Sequence, residues 1–115
     1  DLKDKGKAVL HINFDTDKAT LKADGKEAVA EIAKALTADK TMKIAINGYT
    51  DNTGDATHNL DLSKQRAKTV KTELEKSGID SKRLVSEGFG QSNPIADNNS
   101  EEGKAQNRRV ELVKK

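Results

Sequence analysis

The stretch Met42-Lys43-Ile44-Ala45-Ile46-Asn47-Gly48-Tyr49-Thr50-Asp51-Asn52-Thr53-Gly54 decides how this chain is read. Its first eight residues place Met42, Ile44 and Ile46 on one face at a period of two, the pattern of a strand with one side against a core. Thr50 to Gly54 breaks the alternation with small polar residues and a glycine, which is turn chemistry. From about Asp55 to Ser77 the period becomes helical, with Ala67, Val70 and Leu74 facing inward. Gly78 can then adopt the left-handed conformation while Ile79 folds back on Leu74, as a Schellman motif requires. A strand, a polar loop and a long helix are the makings of an α/β unit. Two opposite charges flank the junction: Asp51 in the loop, and Arg66 fifteen residues later on the helix.

Outward from this unit the patterning continues. Val9-Leu10-His11-Ile12-Asn13-Phe14 alternates, with Leu10, Ile12 and Phe14 on one face, and reads as a strand. Asp15-Thr16-Asp17-Lys18 follows as a polar turn. A helix is expected from near Asp24, with Glu27 completing a capping box and Val29, Ile32 and Leu36 forming its apolar stripe. Toward the C-terminus, Arg83-Leu84-Val85-Ser86-Glu87 reads as a third strand closed by Gly88-Phe89-Gly90. Gln91 to Gln106 is polar, holds the only proline, and reads as a long loop with room for a short third helix. Arg109-Val110-Glu111-Leu112-Val113 closes the chain as a strand. The order βαβαββ implies an α/β sandwich: a mixed four-stranded sheet with two main helices.

At 115 residues the chain suits a single domain spanning 1–115, with residues 1–6 expected to be a linker remnant. Only 33% of residues are hydrophobic, so the core should be thin and aliphatic. The 21 Lys and Arg nearly balance the 19 Asp and Glu, and the three aromatic residues offer no base-stacking platform; nucleic acid is therefore not an expected partner. No apolar stretch approaches the roughly 20 residues that cross a bilayer, and Asp1 to Lys7 lacks the hydrophobic segment of a signal peptide. Without cysteine there are neither disulfides nor thiolate metal sites.

Position 66 is the oddity of the second helix. Leu62, Arg66, Val70 and Leu74 recur every four residues, so a permanent charge interrupts an apolar row, and Asn59 lies on the same face. Such an arginine needs an anion, since an unpaired buried charge costs several kcal/mol. Asp51 is the nearest candidate by topology. The two residues could form a structural salt bridge, or stand apart and clamp a zwitterion, Arg66 holding its carboxylate and Asp51 its ammonium. Spacing leaves both open.

Other motifs carry less. Asp51 to Asp55 begins like a calcium loop, but Ala56 stands where the turn glycine belongs and Leu62 where the bidentate glutamate belongs. His11 and His58 have no third ligand spaced to them, and Ser63 has no histidine placed for a triad. Gly88 to Asn93 lacks the third glycine of a dinucleotide loop. Asn107-Arg108-Arg109 with Lys114 and Lys115 reads as a solvated strand end. No catalytic residue, metal or cofactor is expected.

Together these residues resemble the OmpA-like, peptidoglycan-associated domain of bacterial envelope proteins. The resemblance runs through nearly the whole chain: Phe14-Asp15 with Leu21, Gly48 to Gly54, Asn59, Leu62-Ser63, Arg66-Ala67, Val70, Gly78, Gly88 to Gly90 with Pro94, Gly103, and Asn107 to Glu111. Many relatives have His where this chain has Tyr49. The resemblance implies non-covalent binding of peptidoglycan through the diaminopimelate of its stem peptide, Asp51 meeting the ammonium and Arg66 the carboxylate. It further implies that Phe14, Asp15, Thr16, Asn59 and Leu62 line the pocket, and that Asn107 and Arg109 anchor the last strand and the pocket wall. The implied setting is periplasmic, with the domain tethering an outer-membrane protein or lipoprotein to the wall. An accessory of a wall-acting enzyme, or an interaction domain without a ligand, are the competing readings.

Overall fold

The computed structural model describes residues 7–10, 21 and 23–115. Elements run β1 (Lys7–Leu10), α1 (Ala23–Ala38), β2 (Ile44–Tyr49), α2 (Ala56–Lys76), a 3-10 turn (Ser81–Arg83), β3 (Leu84–Gly90), α3 (Glu101–Asn107) and β4 (Arg109–Lys114). The sheet order is β1-β4-β2-β3, with β2 parallel to β3 and β4 antiparallel to both β2 and β1. This is a mixed α/β arrangement with three helices, the third being the short one for which the polar stretch left room.

Several expected boundaries shift. The first strand ends its described course at Leu10, and residues 11–14 of the expected strand, the Asp15 to Lys18 turn and residues 1–6 lie outside the described residues. Asp24 sits inside α1 rather than before it. The N-cap is the residue before the first helical one, so the helix starts ahead of the expected position. β2 starts at Ile44, leaving Met42 buried just ahead of it. β3 extends through the glycines to Gly90, since β2 continues beside it as far as Tyr49.

The core lies between one sheet face and the two long helices. Ile44, Ile46, Leu84, Val110 and Leu112 point from the strands toward Val29, Ile32 and Leu36 of α1 and Ala67, Val70 and Leu74 of α2, all buried. Each fully buried aliphatic side chain contributes about 1.5–3 kcal/mol against the entropy of ordering the chain. The Schellman stop is present: Gly78 has φ 99°, its N–H donates to the Glu75 carbonyl, and the Ile79 N–H donates to the Leu74 carbonyl. Gly48 and Gly88 allow α2 to lie against the sheet, because a Cβ at either would strike backbone atoms of Ser63 or Lys64.

Arg83 ties the two layers at the far end. Its Nε donates to the Met42 carbonyl at 2.9 Å, and its Nη2 to the Leu36 and Asp39 carbonyls at 2.8 and 2.7 Å. A cation placed on the carbonyls around the end of α1 also complements the helix dipole. Arg83→Ala is expected to lower unfolding stability by about 2 kcal/mol, read from urea melts. An unchanged denaturation midpoint would show that this clasp contributes nothing.

Candidate functional site

The site is built at the end of β2, where the chain leaves the sheet. Thr50 and Asp51 are buried there, at 6% and 7% exposure, in a segment with no apolar role. The Thr50 N–H donates to the Gly90 carbonyl at 2.7 Å, extending the contact between β2 and β3 by one residue. The Asp51 Oδ1 accepts the Thr53 N–H at 2.9 Å, an Asx turn that folds the loop back on itself. Asp55 then caps α2 by accepting the His58 N–H at 3.1 Å. Gly54, at φ 86°, supplies the left-handed step between turn and cap.

Asn59 and Ser63 lock this loop to the helix. The buried Asn59 amide donates to the Thr53 carbonyl at 2.9 Å and lies 3.4 Å from the Gln91 Oε1 and 3.5 Å from the Asp51 carbonyl. The fully buried Ser63 hydroxyl donates to the Leu60 carbonyl at 2.7 Å and accepts the Gly90 N–H at 2.8 Å. Loop, α2 and the end of β3 are therefore joined by side-chain hydrogen bonds to backbone, and Asp51 projects from a fixed frame.

The carboxylate of Asp51 does not pair with Arg66. Its Oδ2 receives Nη1 of Arg108 at 2.6 Å, an ion pair in which the Asp51 side chain is 10% exposed and the Arg108 side chain 44%. The salt-bridge alternative for Asp51 and Arg66 is thus answered: the counter-ion of Asp51 comes from a third element. β2 and β4 pair antiparallel with Tyr49 opposite Arg109, which puts Arg108, the residue before β4, beside the end of β2. Burial raises the pKa of Asp51, but the Thr53 hydrogen bonds and the Arg108 guanidinium outweigh it and hold the carboxyl below its ordinary 3.8. The group is therefore ionised throughout the neutral range. Arg66 is half-buried on α2, one turn beyond the buried Leu62.

The other wall is organised by Asn107 and Arg109. Asn107 is wholly buried: its Oδ1 accepts the Ile95 and Ala96 N–H groups at 2.8 and 3.0 Å, and its amide donates to the Ala96 carbonyl and to Asn98. Gly103 lets α3 sit directly on the Asp97 backbone, where a Cβ would collide with the carbonyl. Arg109, at 3% exposure, donates to the Glu111 carboxylate at 2.7 Å and to the carbonyls of Asn107 and Asn93. Its guanidinium lies 3.9 Å over the Tyr49 ring, which stacks on Phe89 with centroids 5.3 Å apart. Arg109 is therefore not part of a solvated strand end, because Glu111, the Asn93 and Asn107 carbonyls and the Tyr49 ring enclose its guanidinium.

Of the residues singled out from sequence, the structure joins Asp51 to Asn59 through one loop and sets Leu62 and Arg66 along the same helix. Phe14, Asp15 and Thr16 lie outside the described residues. Sequence reasoning missed Arg108, Thr53 and Gln91. The doubled arginine at the start of a strand was the available signal, since only one of two adjacent side chains can face the covered side. No group of three or more His, Asp or Glu that could hold a metal occurs among the described residues.

A model of the OmpA family matches residues 13–108. The chain is 42% identical over 103 residues to "Probable lipoprotein YiaD" of Escherichia coli K12, covering 90% of this chain and 47% of that protein. It is 43% identical over 102 residues to "Peptidoglycan-binding protein ArfA" of Mycobacterium tuberculosis H37Rv, covering 89% of this chain and 31% of that one. The chain thus spans half or less of these relatives. Among solved structures, the peptidoglycan-associated lipoprotein from Burkholderia pseudomallei superposes with a TM-score of 0.81 at 27% identity, covering 93% of this chain and 89% of that chain.

Proposed function

Since the chain belongs to the OmpA family, we propose that it is a peptidoglycan-binding module that grips the diaminopimelate of the stem peptide without catalysis. Asp51 accepts the side-chain ammonium and Arg66 donates two parallel hydrogen bonds to the carboxylate beside it. The observation that carries this reading is the buried, ionised Asp51 carboxylate held on a loop whose own polar groups are satisfied within the frame. A carboxylate presented in this way is preorganised for a cation and loses little freedom on binding one. Asn59 supports this reading as the residue that fixes the loop, and Leu62 as an apolar floor. Phe14, Asp15 and Thr16 complete the proposed pocket, while Asn107 and Arg109 hold its far wall.

The names of ArfA and of the Burkholderia lipoprotein support peptidoglycan as the partner. YiaD and the Burkholderia protein are named as lipoproteins, which supports a periplasmic module tethering an outer-membrane component to the wall. No helix among the described residues is long and apolar enough to cross a membrane. Affinity for one stem need not be high, because a polymeric wall offers many stems and tethering raises their effective concentration.

The chemistry of the clamp sets its specificity. A stem with lysine in place of diaminopimelate keeps the ammonium but lacks the carboxylate, so the two parallel hydrogen bonds assigned to Arg66 would not form. Co-sedimentation with purified sacculi should therefore retain the protein on diaminopimelate-type walls and lose it, by at least about tenfold, on lysine-type walls. Equal retention on both would remove the assigned role of the carboxylate.

A further inference from the structure

The two adjacent arginines at the start of β4 are built in opposite ways. Arg109 is fixed, with Nε, Nη1 and Nη2 all donating, and its side chain is 2% exposed. Arg108 makes one side-chain contact, from Nη1 to the Asp51 Oδ2, and leaves 44% of its side chain in solvent. Asp51 is just as asymmetric. Its Oδ1 is committed to the Thr53 N–H, a bond that cannot break without unmaking the turn, whereas its Oδ2 receives the half-exposed Arg108 guanidinium. The carboxylate has little open surface beyond these two partners, since its side chain is 10% exposed.

We propose that Arg108 is a displaceable latch on the Asp51 carboxylate, occupying in the empty protein the position that the ligand's ammonium takes in the complex. The inference rests on the reading of Asp51 as the ammonium site. An ammonium and a guanidinium cannot both contact Oδ2 without bringing two like charges together in a poorly solvated place. The exchange replaces one cation with another, so Asp51 is never left buried and unpaired. Arg108 returns to solvent and regains side-chain freedom. The latch keeps the loop ordered and the carboxylate ionised before the wall is met, and it tunes affinity downward by the strength of the pair that must be broken.

The test is titration calorimetry with the tripeptide L-Ala-γ-D-Glu-meso-diaminopimelate, and with an analogue ending in 2-aminopimelate, which keeps the side-chain carboxylate and lacks the side-chain ammonium. Arg108→Gln is expected to bind the diaminopimelate tripeptide about five- to tenfold more tightly than the parent, with no gain for the analogue. Unchanged or weaker binding of the diaminopimelate tripeptide by folded Arg108→Gln, or an equal gain for both peptides, overturns the latch. Asp51→Asn serves as the control: if it still binds the tripeptide as the parent does, the ammonium site itself is wrong, a failure distinct from that of the latch. Should Arg108→Gln not fold, a crystal structure of the parent with the tripeptide decides instead. Arg108 detached from Asp51 in that complex supports the latch; the pair still closed overturns it.

Discussion

Asp51→Ala and Arg66→Ala are each expected to abolish retention on diaminopimelate-type sacculi while leaving the domain folded. Truncating one side of a buried, hydrogen-bonded charge pair costs about 2–5 kcal/mol, which is a loss of about 30-fold to several-thousand-fold in affinity. Neither side chain belongs to the apolar core, which is formed by residues such as Ile44, Ile46, Val70, Leu74 and Leu112. Asp51 does anchor the Thr53 turn, so Asp51→Asn, which keeps an oxygen for that N–H, separates loss of charge from loss of loop geometry. The asparagine variant should lose binding as the alanine variant does. Two folded variants that still sediment with the wall would remove the clamp as the mechanism.

Arg109→Ala is expected to lower stability strongly, by about 3–5 kcal/mol in urea or thermal melts. It removes the guanidinium from a buried acid, Glu111 at 5% exposure, and strips the donors from the Asn93 and Asn107 carbonyls. It also removes the cation from the face of Tyr49, whose ring is stacked on Phe89. A loss of that size is a large share of the about 5–15 kcal/mol that holds a typical domain folded. Adding Glu111→Gln should recover part of the loss, because the amide need not be desolvated as a charge. A deficit below about 1 kcal/mol for Arg109→Ala alone would mean that the buried ion pair is energetically neutral against its replacement.

Much of this architecture was legible because each element carries a local rule. Ile44 and Ile46 mark β2 by alternation, Ala67, Val70 and Leu74 mark α2 by helical period, and Gly78 with Ile79 marks its stop. The loop from Thr50 to Gly54 was legible as turn chemistry, and Arg66 as a charge out of place in an apolar row. What failed depended on register and on the course of irregular chain. Nothing in the sequence states that β4 pairs with β2 so that Tyr49 meets Arg109, yet that register brings Arg108 to Asp51. Periodicity alone makes Arg109 a solvated strand end, because its enclosure by the Asn93 carbonyl, Glu111 and the Tyr49 ring follows from the course of irregular chain and from register rather than from any repeating pattern. Asp24 resembled a cap from its spacing to Glu27, but α1 begins one residue earlier. Side-chain to backbone bonds such as those of Asn59 and Ser63 are likewise invisible to periodicity, although they give the Asp51 loop its fixed form.

The most direct measurement is a crystal structure of the domain with the diaminopimelate tripeptide bound. The account predicts the side-chain ammonium about 2.7–2.9 Å from the Asp51 carboxylate, with the neighbouring carboxylate at the same range from the Arg66 guanidinium. A tripeptide seated away from both residues, or held with its carboxylate turned from Arg66, would contradict it.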